Sequence, residues 1–169
     1  MLETPEELTL LQRLLDSSAA TAGPHLRGII TDERRLDAQG LCAELHGMRL
    51  LVVATVTRDG RPLVGPVDGY FLHGSFWFSS GRDAVRMNHL RARSAISACH
   101  VPGEGLAVTM HGRAELFGLA EPEGEELRQA MLDHYLPLQG PSFEEWLDNA
   151  DALGARIEPD RIFTFHLWE

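Results

Sequence analysis

The pattern of apolar and polar positions divides the chain into a helical first part and a strand-rich remainder. Leucines recur at helical spacing from Leu8 to Leu15, after a Thr-Pro-Glu-Glu sequence that is typical of a helix N-terminus. A second helical stretch is predicted over 31–47, and the segment 23–30 between the two shows no periodicity and is predicted to be a loop. We therefore expect residues 1–48 to form a helical segment that packs on the rest of the chain.

From residue 50 onward the pattern is that of β-strands. Residues 50–57 are rich in β-branched side chains, which favours a buried strand. Asp59 and Gly60 follow, and Asp-Gly is a strong signal for a two-residue hairpin turn, because both central residues need positive φ. A second strand is predicted over 62–70, and after another turn a third over 75–79. The three strands predict an antiparallel meander.

Further strands and helices follow at short intervals. Alternation in a long strand over 106–117 places His111 and Arg113 on its polar face, and Gly112 between them indicates a bulge or a close approach by another group. The other predicted elements are a helix at 84–90, a strand at 95–101, helices at 121–135 and 143–153, and a closing strand at 161–168. The predicted fold class is α+β, mainly β: a six-stranded antiparallel barrel over 49–169 with flanking helices and a helical insertion at about 121–153.

Composition and charge exclude several classes of function. The 169 residues carry a net charge of −10, which argues against nucleic acid or an anionic membrane as the main partner. All 15 basic residues are arginine, so neither a pyridoxal phosphate Schiff base nor a Walker-type phosphate loop is available. The start is acidic, and no apolar run approaches the ~20 residues that span a bilayer, so we expect a cytoplasmic protein without a membrane segment.

No standard catalytic or metal-binding motif is present. The sequence contains no GxSxG, HExxH or complete GxGxxG, and its eight histidines are scattered without the spacing of metal ligands. Cys42 and Cys99 belong to no CxxC pair. The sequence therefore predicts no metal site and identifies no catalytic residue.

One segment carries candidate chemistry. Residues 79–86 run from a strand end into a predicted helix, with Ser79 and Ser80 followed by Arg82 and Arg86, four residues apart on one helix face. Hydroxyls, arginine forks and free N–H groups at a helix N-terminus suit a phosphate. The alternative is a capping serine with two solvated arginines, and the residues by themselves leave both interpretations open.

The same segment belongs to a wider resemblance. The chain resembles the flavin-binding split barrel of the pyridoxamine 5′-phosphate oxidase-like superfamily at 54–62 (ATVTRDGRP), 66–69 (PVDG), 76–80 (FWFSS), 86–90 (RMNHL) and 157–163 (IEPDRIF). The asparagine and leucine of the fourth segment are separated by one residue that the family pattern lacks. The pattern is specific for the fold and much less so for the substrate.

The resemblance implies a homodimer that holds a flavin, usually FMN, in a groove between subunits, although related branches bind deazaflavin or haem. The phosphate would be held by Ser79, Ser80, Arg82 and Arg86. The flavin ring would lie against the second strand, at Val64, Gly65, Pro66 and Val67. The polar strand face with His111 and Arg113 is our candidate for the contribution of the second subunit, and the alternative is a solvated strand face.

The implied function is an FMN-dependent oxidoreductase acting on an unidentified small molecule. A flavin supplies the redox chemistry itself, so the protein needs no nucleophile or triad. The alternatives are a non-catalytic flavin- or haem-binding protein, with His111 as the candidate haem ligand, and a deazaflavin-dependent reductase.

Aromatic side chains support the expectation of a dimer. Alternation places Trp77 on the opposite face from Phe76 and Phe78, so some aromatic residues must point out of the barrel. Phe163, Phe165 and Trp168 add to this surplus. An outward aromatic on a protein of this charge is expected to cover a partner surface, burying well over ~1,000 Å² in a two-fold dimer.

Overall fold

Six antiparallel strands form a closed barrel in the computed structural model, which describes residues 2–167. Their order around the barrel is β1-β2-β3-β6-β5-β4. The strands are β1 Met48–Val56, β2 Pro62–Leu72, β3 Ser75–Gly81, β4 Ala95–Gly103, β5 Leu106–Gly118 and β6 Ala152–His166. The predicted fold class, a mainly β six-stranded antiparallel barrel with flanking helices, is confirmed.

Helices precede the barrel, interrupt it once and are inserted before its last strand. They are α1 Pro5–Thr21, α2 Pro24–Ile29, α3 Ala38–Glu44, α4 Val85–Ala92, α5 Glu125–Gln139 and α6 Ser142–Asn149, with single 3-10 turns at Asp32–Arg34 and Pro122–Gly124. The predicted start of α1 is confirmed, because Thr4 and Glu7 form a reciprocal capping box with each other's backbone N–H groups. Within 2–167, no helix has the length and apolar character needed to cross a membrane.

Apolar residues bury themselves in two clusters. The larger fills the barrel and includes Phe76, Phe78 and Met110, and leucines of α1 and α3 extend it. The smaller lies outside the barrel, where α5 and α6 pack on strands β2, β3 and β5. The helical insertion therefore covers an outer face of the sheet.

The structure corrects several predicted helix boundaries. The segment 23–30 is not a loop, because Pro24 opens the short helix α2 after Gly23. The predicted helix over 31–47 is confined to α3, whose N-cap Asp37 accepts a hydrogen bond from the Gly40 N–H. The helix predicted at 121–135 begins four residues later, after a 3-10 turn.

The last strand is longer than its sequence pattern indicates. The helix predicted to reach residue 153 ends at Asn149, and β6 starts at Ala152, which pairs with Gly81. The predicted closing strand begins only at residue 161, so the structure adds nine residues to its start. Pairing with β3 on one side and β5 on the other makes the segment a strand.

The two-residue hairpin lies at a different turn from the one predicted. Asp59 and Gly60 belong to a five-residue connection, in which Gly60 has a φ of 86° and Asp59 does not have positive φ. His73 and Gly74 are the pair with positive φ, 52° and 76°, and they join β2 directly to β3. His73, which is not a glycine, therefore adopts the left-handed conformation that was predicted for Asp59 in the preceding turn.

Trp77 points out of the barrel as predicted, but the inference drawn from it is wrong. Its ring packs on Phe117, with centroids 5.5 Å apart, in the cluster under α5 and α6. The chain's own insertion therefore covers this aromatic residue, and Trp77 gives no evidence of a partner. Phe163 and Phe165 are half-buried, and Trp168 lies outside the described residues.

Gly112 marks both of the features that were predicted for it. The β5–β6 register shifts between His111 and Gly112, with Asp160 as the extra residue of β6. A Cβ on Gly112 would lie 2.0 Å from the carbonyl oxygen of Glu158. The bulge of β6 therefore lies opposite a position of β5 where a side chain would not fit.

Candidate functional site

The barrel is split between β2 and β3. β2 pairs with β1 along Pro62–Tyr70 but with β3 only from Gly69 to Leu72. On its other edge β3 pairs with β6 from Trp77 to Gly81, so residues 79–81 extend beyond the pairing with β2. The first half of β2 therefore has an open edge, which contains the four residues predicted to contact a flavin ring: Val64, Gly65, Pro66 and Val67.

Backbone polar groups are available along this open edge. In an antiparallel strand the N–H and C=O of one residue point to the same side, and the side alternates from residue to residue. The Pro66 carbonyl accepts a hydrogen bond from outside the sheet, so the backbone groups of Val64 and Asp68 also face the opening. Proline lacks an N–H and is tolerated at such an edge. A planar molecule with donors and acceptors on its rim could therefore pair here.

Helix α4 places Arg86 at this edge. The Arg86 Nη1 donates to the Pro66 carbonyl oxygen at 3.0 Å, and its Nη2 lies 3.1 Å from where a Cβ on Gly65 would be. A larger residue at 65 would compete with the guanidinium for this space. The helix is fixed against the barrel by His89, whose Nδ1 is 3.0 Å from the Thr55 hydroxyl.

Positive charge collects on and beside α4. Arg86, Arg91 and Arg93 form no ion pair with a carboxylate of the described chain, and their recorded hydrogen bonds go to backbone carbonyls and one amide oxygen. The N-terminus of α4, at Ala84, has no side-chain cap, so its first-turn N–H groups are available as well. In a chain of net charge −10, this patch is suited to an anion.

Arg82 occupies a different environment from Arg86. It lies in the turn before α4, so the prediction that both arginines share one helix face is wrong. Its Nε is 2.6 Å from Asp151 Oδ1, and its N–H donates to the Asp151 carbonyl at 2.9 Å. The hydrogen bond to Asp151 is the main cause of the raised pKa of Arg82. Arg82 thus ties the end of β3 to the start of β6.

Ser79 and Ser80 line a cavity of about 440 Å³ on the outer side of the split. Ser79 donates weakly to the Met131 sulfur at 3.6 Å. The same cavity is lined by Asp68 and Asp151, whose charges oppose an anion there. The predicted phosphate residues are therefore divided: Arg86 lies in the positive patch, and the two serines lie beside carboxylates.

His111 and Arg113 lie on the outer face of β5. The His111 Nδ1 is 2.8 Å from the Ser97 hydroxyl, and Arg113 is 3.7 Å from Asp160. The paired residues Val64, Ala54, Ser97 and His111 form one row across four strands, which separates the first from the last by about 14 Å at the usual strand spacing. Within one chain, His111 does not reach the open edge of β2.

Asp68, Tyr70 and Tyr135 are not among the site residues predicted from the sequence. The Tyr135 hydroxyl donates a short hydrogen bond to the Asp68 carboxylate. Burial first and this bond second raise the pKa of Tyr135 to about 12. The available signal was the Asp-x-Tyr spacing, which puts both side chains on one face of β2. Tyr135, the partner of Asp68, lies 67 residues later in the chain, and no local pattern indicates it.

The closed six-stranded barrel and the open edge of β2 beside the arginine-bearing helix α4 define a split-barrel protein. Residues 41–164 match the family model described as pyridoxamine 5′-phosphate oxidase. The chain belongs to this family. No curated protein matches its sequence.

Solved structures share the fold at low sequence identity. A conserved hypothetical protein of Mycobacterium tuberculosis is 19% identical with a TM-score of 0.67, covering 80% of this chain and 88% of its own. The haem storage protein HutZ of Vibrio cholerae is 15% identical with a TM-score of 0.61, covering 75% and 91%. An F420 reductase is 19% identical with a TM-score of 0.56, covering 72% and 94%. These likenesses support the fold of this chain.

Proposed function

We propose that this protein is an FMN-binding oxidoreductase that acts on a small molecule. The observation that carries the proposal is the joint placement of an open strand edge and a cluster of arginines that have no carboxylate partner within residues 2–167. Arg86 belongs to both, since it bonds to Pro66 of the edge and lies in the first turn of α4. A flavin mononucleotide offers the matching groups: a planar ring with polar atoms on its rim and a phosphate.

The residues fit this cofactor in a defined way. The phosphate would be held by Arg86 and the uncapped N–H groups of α4, where the helix dipole also favours an anion. The ring would lie along Val64–Val67, with the exposed backbone groups of Val64 and Pro66 at its edge. Ser79, Ser80 and Arg82 would lie at the far side of the split. When bound, a flavin supplies hydride or single-electron transfer.

A second copy of the chain would complete the groove. The adjacent strands β1 and β4 carry apolar side chains on their outer face, and Leu50, Val52 and Val101 on it are 57%, 45% and 57% exposed. Such a face is suited to a two-fold symmetric homodimer that buries well over ~1,000 Å². His111 and Arg113 lie on the continuation of this face in β5, so a dimer could bring the partner's copies toward the open edge.

The dimer is tested by placing a charge on this face. We expect light scattering on a sizing column to give the mass of two chains for the parent protein and one chain for Leu50→Glu. Leu138→Glu is the matched control, because Leu138 is 69% exposed on α5, away from the face. A parent protein that is monomeric and still binds FMN tightly would contradict the role proposed for His111 and Arg113.

The cofactor is tested by titrating the purified protein with FMN, a deazaflavin and haem. Tight binding of FMN, with the visible flavin bands perturbed, supports the proposal. Preference for the deazaflavin would assign the reductase alternative. A Soret band that is lost in His111→Ala would assign haem binding instead. Failure to bind either flavin would overturn the proposed function.

Binding and catalysis are separated in a second measurement. An oxidoreductase is expected to bleach its flavin under anaerobic reduction and to recover the colour when an oxidised electron acceptor is added. A protein that holds FMN but whose flavin is not accessible to any reductant or acceptor would be a flavin-binding protein without redox turnover.

A further inference from the structure

The cavity that Ser79 and Ser80 line adjoins the open edge of β2. It has a volume of about 440 Å³, within the range of small-molecule sites, and lies between the split and the inserted helices. Strands form its floor, and α5, α6 and the start of β6 form its walls. Its lining residues are Asp68, Tyr70, Ser79, Ser80, Gly81, Met131, Trp146, Ala150, Asp151 and Ala152.

The charge of this cavity is negative. Asp68 and Asp151 are its ionisable carboxylates. Asp151 is neutralised by Arg82, but Asp68 forms no ion pair with a cation of the described chain. The hydroxyl of Tyr135 donates to one oxygen of Asp68 and stays protonated at neutral pH, because its pKa is about 12. The other oxygen of Asp68 is left to accept from a ligand.

A buried hydroxyl provides an independent indication of a ligand. Tyr70 is only 3% exposed, and within 2–167 its hydroxyl has no hydrogen-bond partner. Burial without a partner is costly, so such groups are usually satisfied by water or a ligand. Tyr70 lines this cavity as well as a neighbouring one, and its side chain lies on the same face of β2 as that of Asp68, two residues away.

The rim of the cavity is aromatic and its wall partly apolar. Trp146 is 59% exposed, and its ring lies 5.5 Å from that of Phe143, which in turn lies 4.6 Å from Tyr135. The Phe143 contact supports the indole from one side. An exposed tryptophan face attracts a cation, and Met131 offers an apolar surface opposite.

We propose that this cavity binds a small organic cation, with an ammonium group at Asp68 and Tyr70 and its apolar part against Trp146 and Met131. An anion would meet the carboxylate of Asp68, which has no cationic partner in the described chain. A purely apolar molecule would leave the Tyr70 hydroxyl and one oxygen of Asp68 without partners. An ammonium group donates to the carboxylate and to the lone pair of the tyrosine oxygen.

The inference names a substrate class for the proposed oxidoreductase and, as a substrate site, it rests on that function. The cavity adjoins the open edge through Asp68, which directly follows the residues assigned to the flavin ring. Binding of the cation itself does not depend on a cofactor. It can therefore be measured on flavin-free protein, separately from any test of FMN.

The experiment compares three ligands of the same shape by calorimetry: benzylammonium, benzyl alcohol and benzoate. We expect benzylammonium to bind at least about tenfold more tightly than benzyl alcohol, and benzoate not to bind. Equal affinity for the amine and the alcohol, or no binding of the amine, would overturn the proposal.

Variants locate the bound cation. Asp68→Asn keeps an acceptor for Tyr135 but removes the charge, and we expect it to lose at least about tenfold in amine affinity. Asp133→Asn, which removes an exposed carboxylate of α5 outside this cavity, should bind as the parent does. Parent-like amine binding by Asp68→Asn would refute the assignment of Asp68.

Two further results separate this inference from the proposed function. Tyr70→Phe should fold normally, because it removes a hydroxyl without a partner, yet bind the amine more weakly; unchanged binding would remove Tyr70 from the site. FMN affinity should be the same in Asp68→Asn and the parent. If the amine binds and FMN does not, the proposed amine site is supported and the proposed flavin function is refuted. If FMN binds and the amine does not, only the proposed amine site is refuted.

Discussion

Replacing Arg86 by alanine tests where the phosphate of FMN would bind. Arg86 uses Nη1 for the Pro66 carbonyl, at 3.0 Å, and has no carboxylate partner in the described chain, so its other N–H groups can donate to an anion. A charge-assisted hydrogen bond contributes about 1.5–3 kcal/mol. Arg86→Ala should therefore weaken FMN binding by about 10- to 150-fold.

Arg82→Ala provides the matched control within the same segment. The Arg82 side chain is half-exposed and paired with Asp151 at 2.6 Å, so its charge is already compensated by a carboxylate. We expect FMN affinity to change by less than about fivefold. Arg34→Ala, an exposed arginine of the 3-10 turn at Asp32–Arg34, should leave affinity unchanged.

The measurement is a titration of FMN fluorescence with each variant, accompanied by thermal melts. Arg86→Ala should melt close to the parent, because its recorded hydrogen bond is an exposed one. The reasoning is refuted if Arg86→Ala binds FMN like the parent. If Arg82→Ala is the weak binder, the phosphate lies at the turn before α4 and the division of the site is wrong.

Two further predictions concern the stability of the barrel. Gly112→Ala should lower the free energy of unfolding by ~2 kcal/mol or more, because the new Cβ would lie 2.0 Å from the Glu158 oxygen, whereas Gly103→Ala, with no atom within 4 Å, should be neutral; equal melting temperatures would contradict this. The chain has two tyrosines, and burial raises the pKa of both, that of Tyr135 from 10.0 to about 12. The folded state holds these protons more tightly than the unfolded chain, so the stability is complete below pH 10 and falls as the pH rises toward 12. Tyrosinate absorbance with a midpoint near pH 10 in folded protein would contradict this.

Local sequence determined the strands and the start of the first helix. Residues 50–57 and 75–79 become strands because β-branched and aromatic side chains suit a pleated, half-buried surface. Thr4 and Glu7 cap α1 through contacts three residues apart, which is a local effect. Gly112 predicted the bulge, because only a residue without a side chain allows the Glu158 backbone to come so close. Each of these features depends on residues near in the sequence or on the size of one side chain.

Tertiary structure decided which candidate residues meet. Arg82 and Arg86 are alike in sequence, but one bonds to Asp151 and the other reaches Pro66, because the helix begins between them. Partners this distant in the chain leave no local pattern. The hydrogen bond between Tyr135 and Asp68 has no local signal either, because the amphipathic pattern of α5 does not indicate which strand the helix will cover.

The open edge of β2 and the burial of Trp77 were likewise decided by strand register. Alternation showed that Trp77 points outward, but not that α5 and α6 would cover it. β-Branched and apolar residues continue through Val64 and Val67, yet the pairing of β2 with β3 stops at Gly69 and Phe78, which leaves one edge of the first half of β2 open. Beyond Phe78, β3 is paired only with β6, on its other side. Strand pairing joins segments that are far apart in sequence. Which strands pair, and in which register, depends on the arrangement that closes the barrel and buries the core.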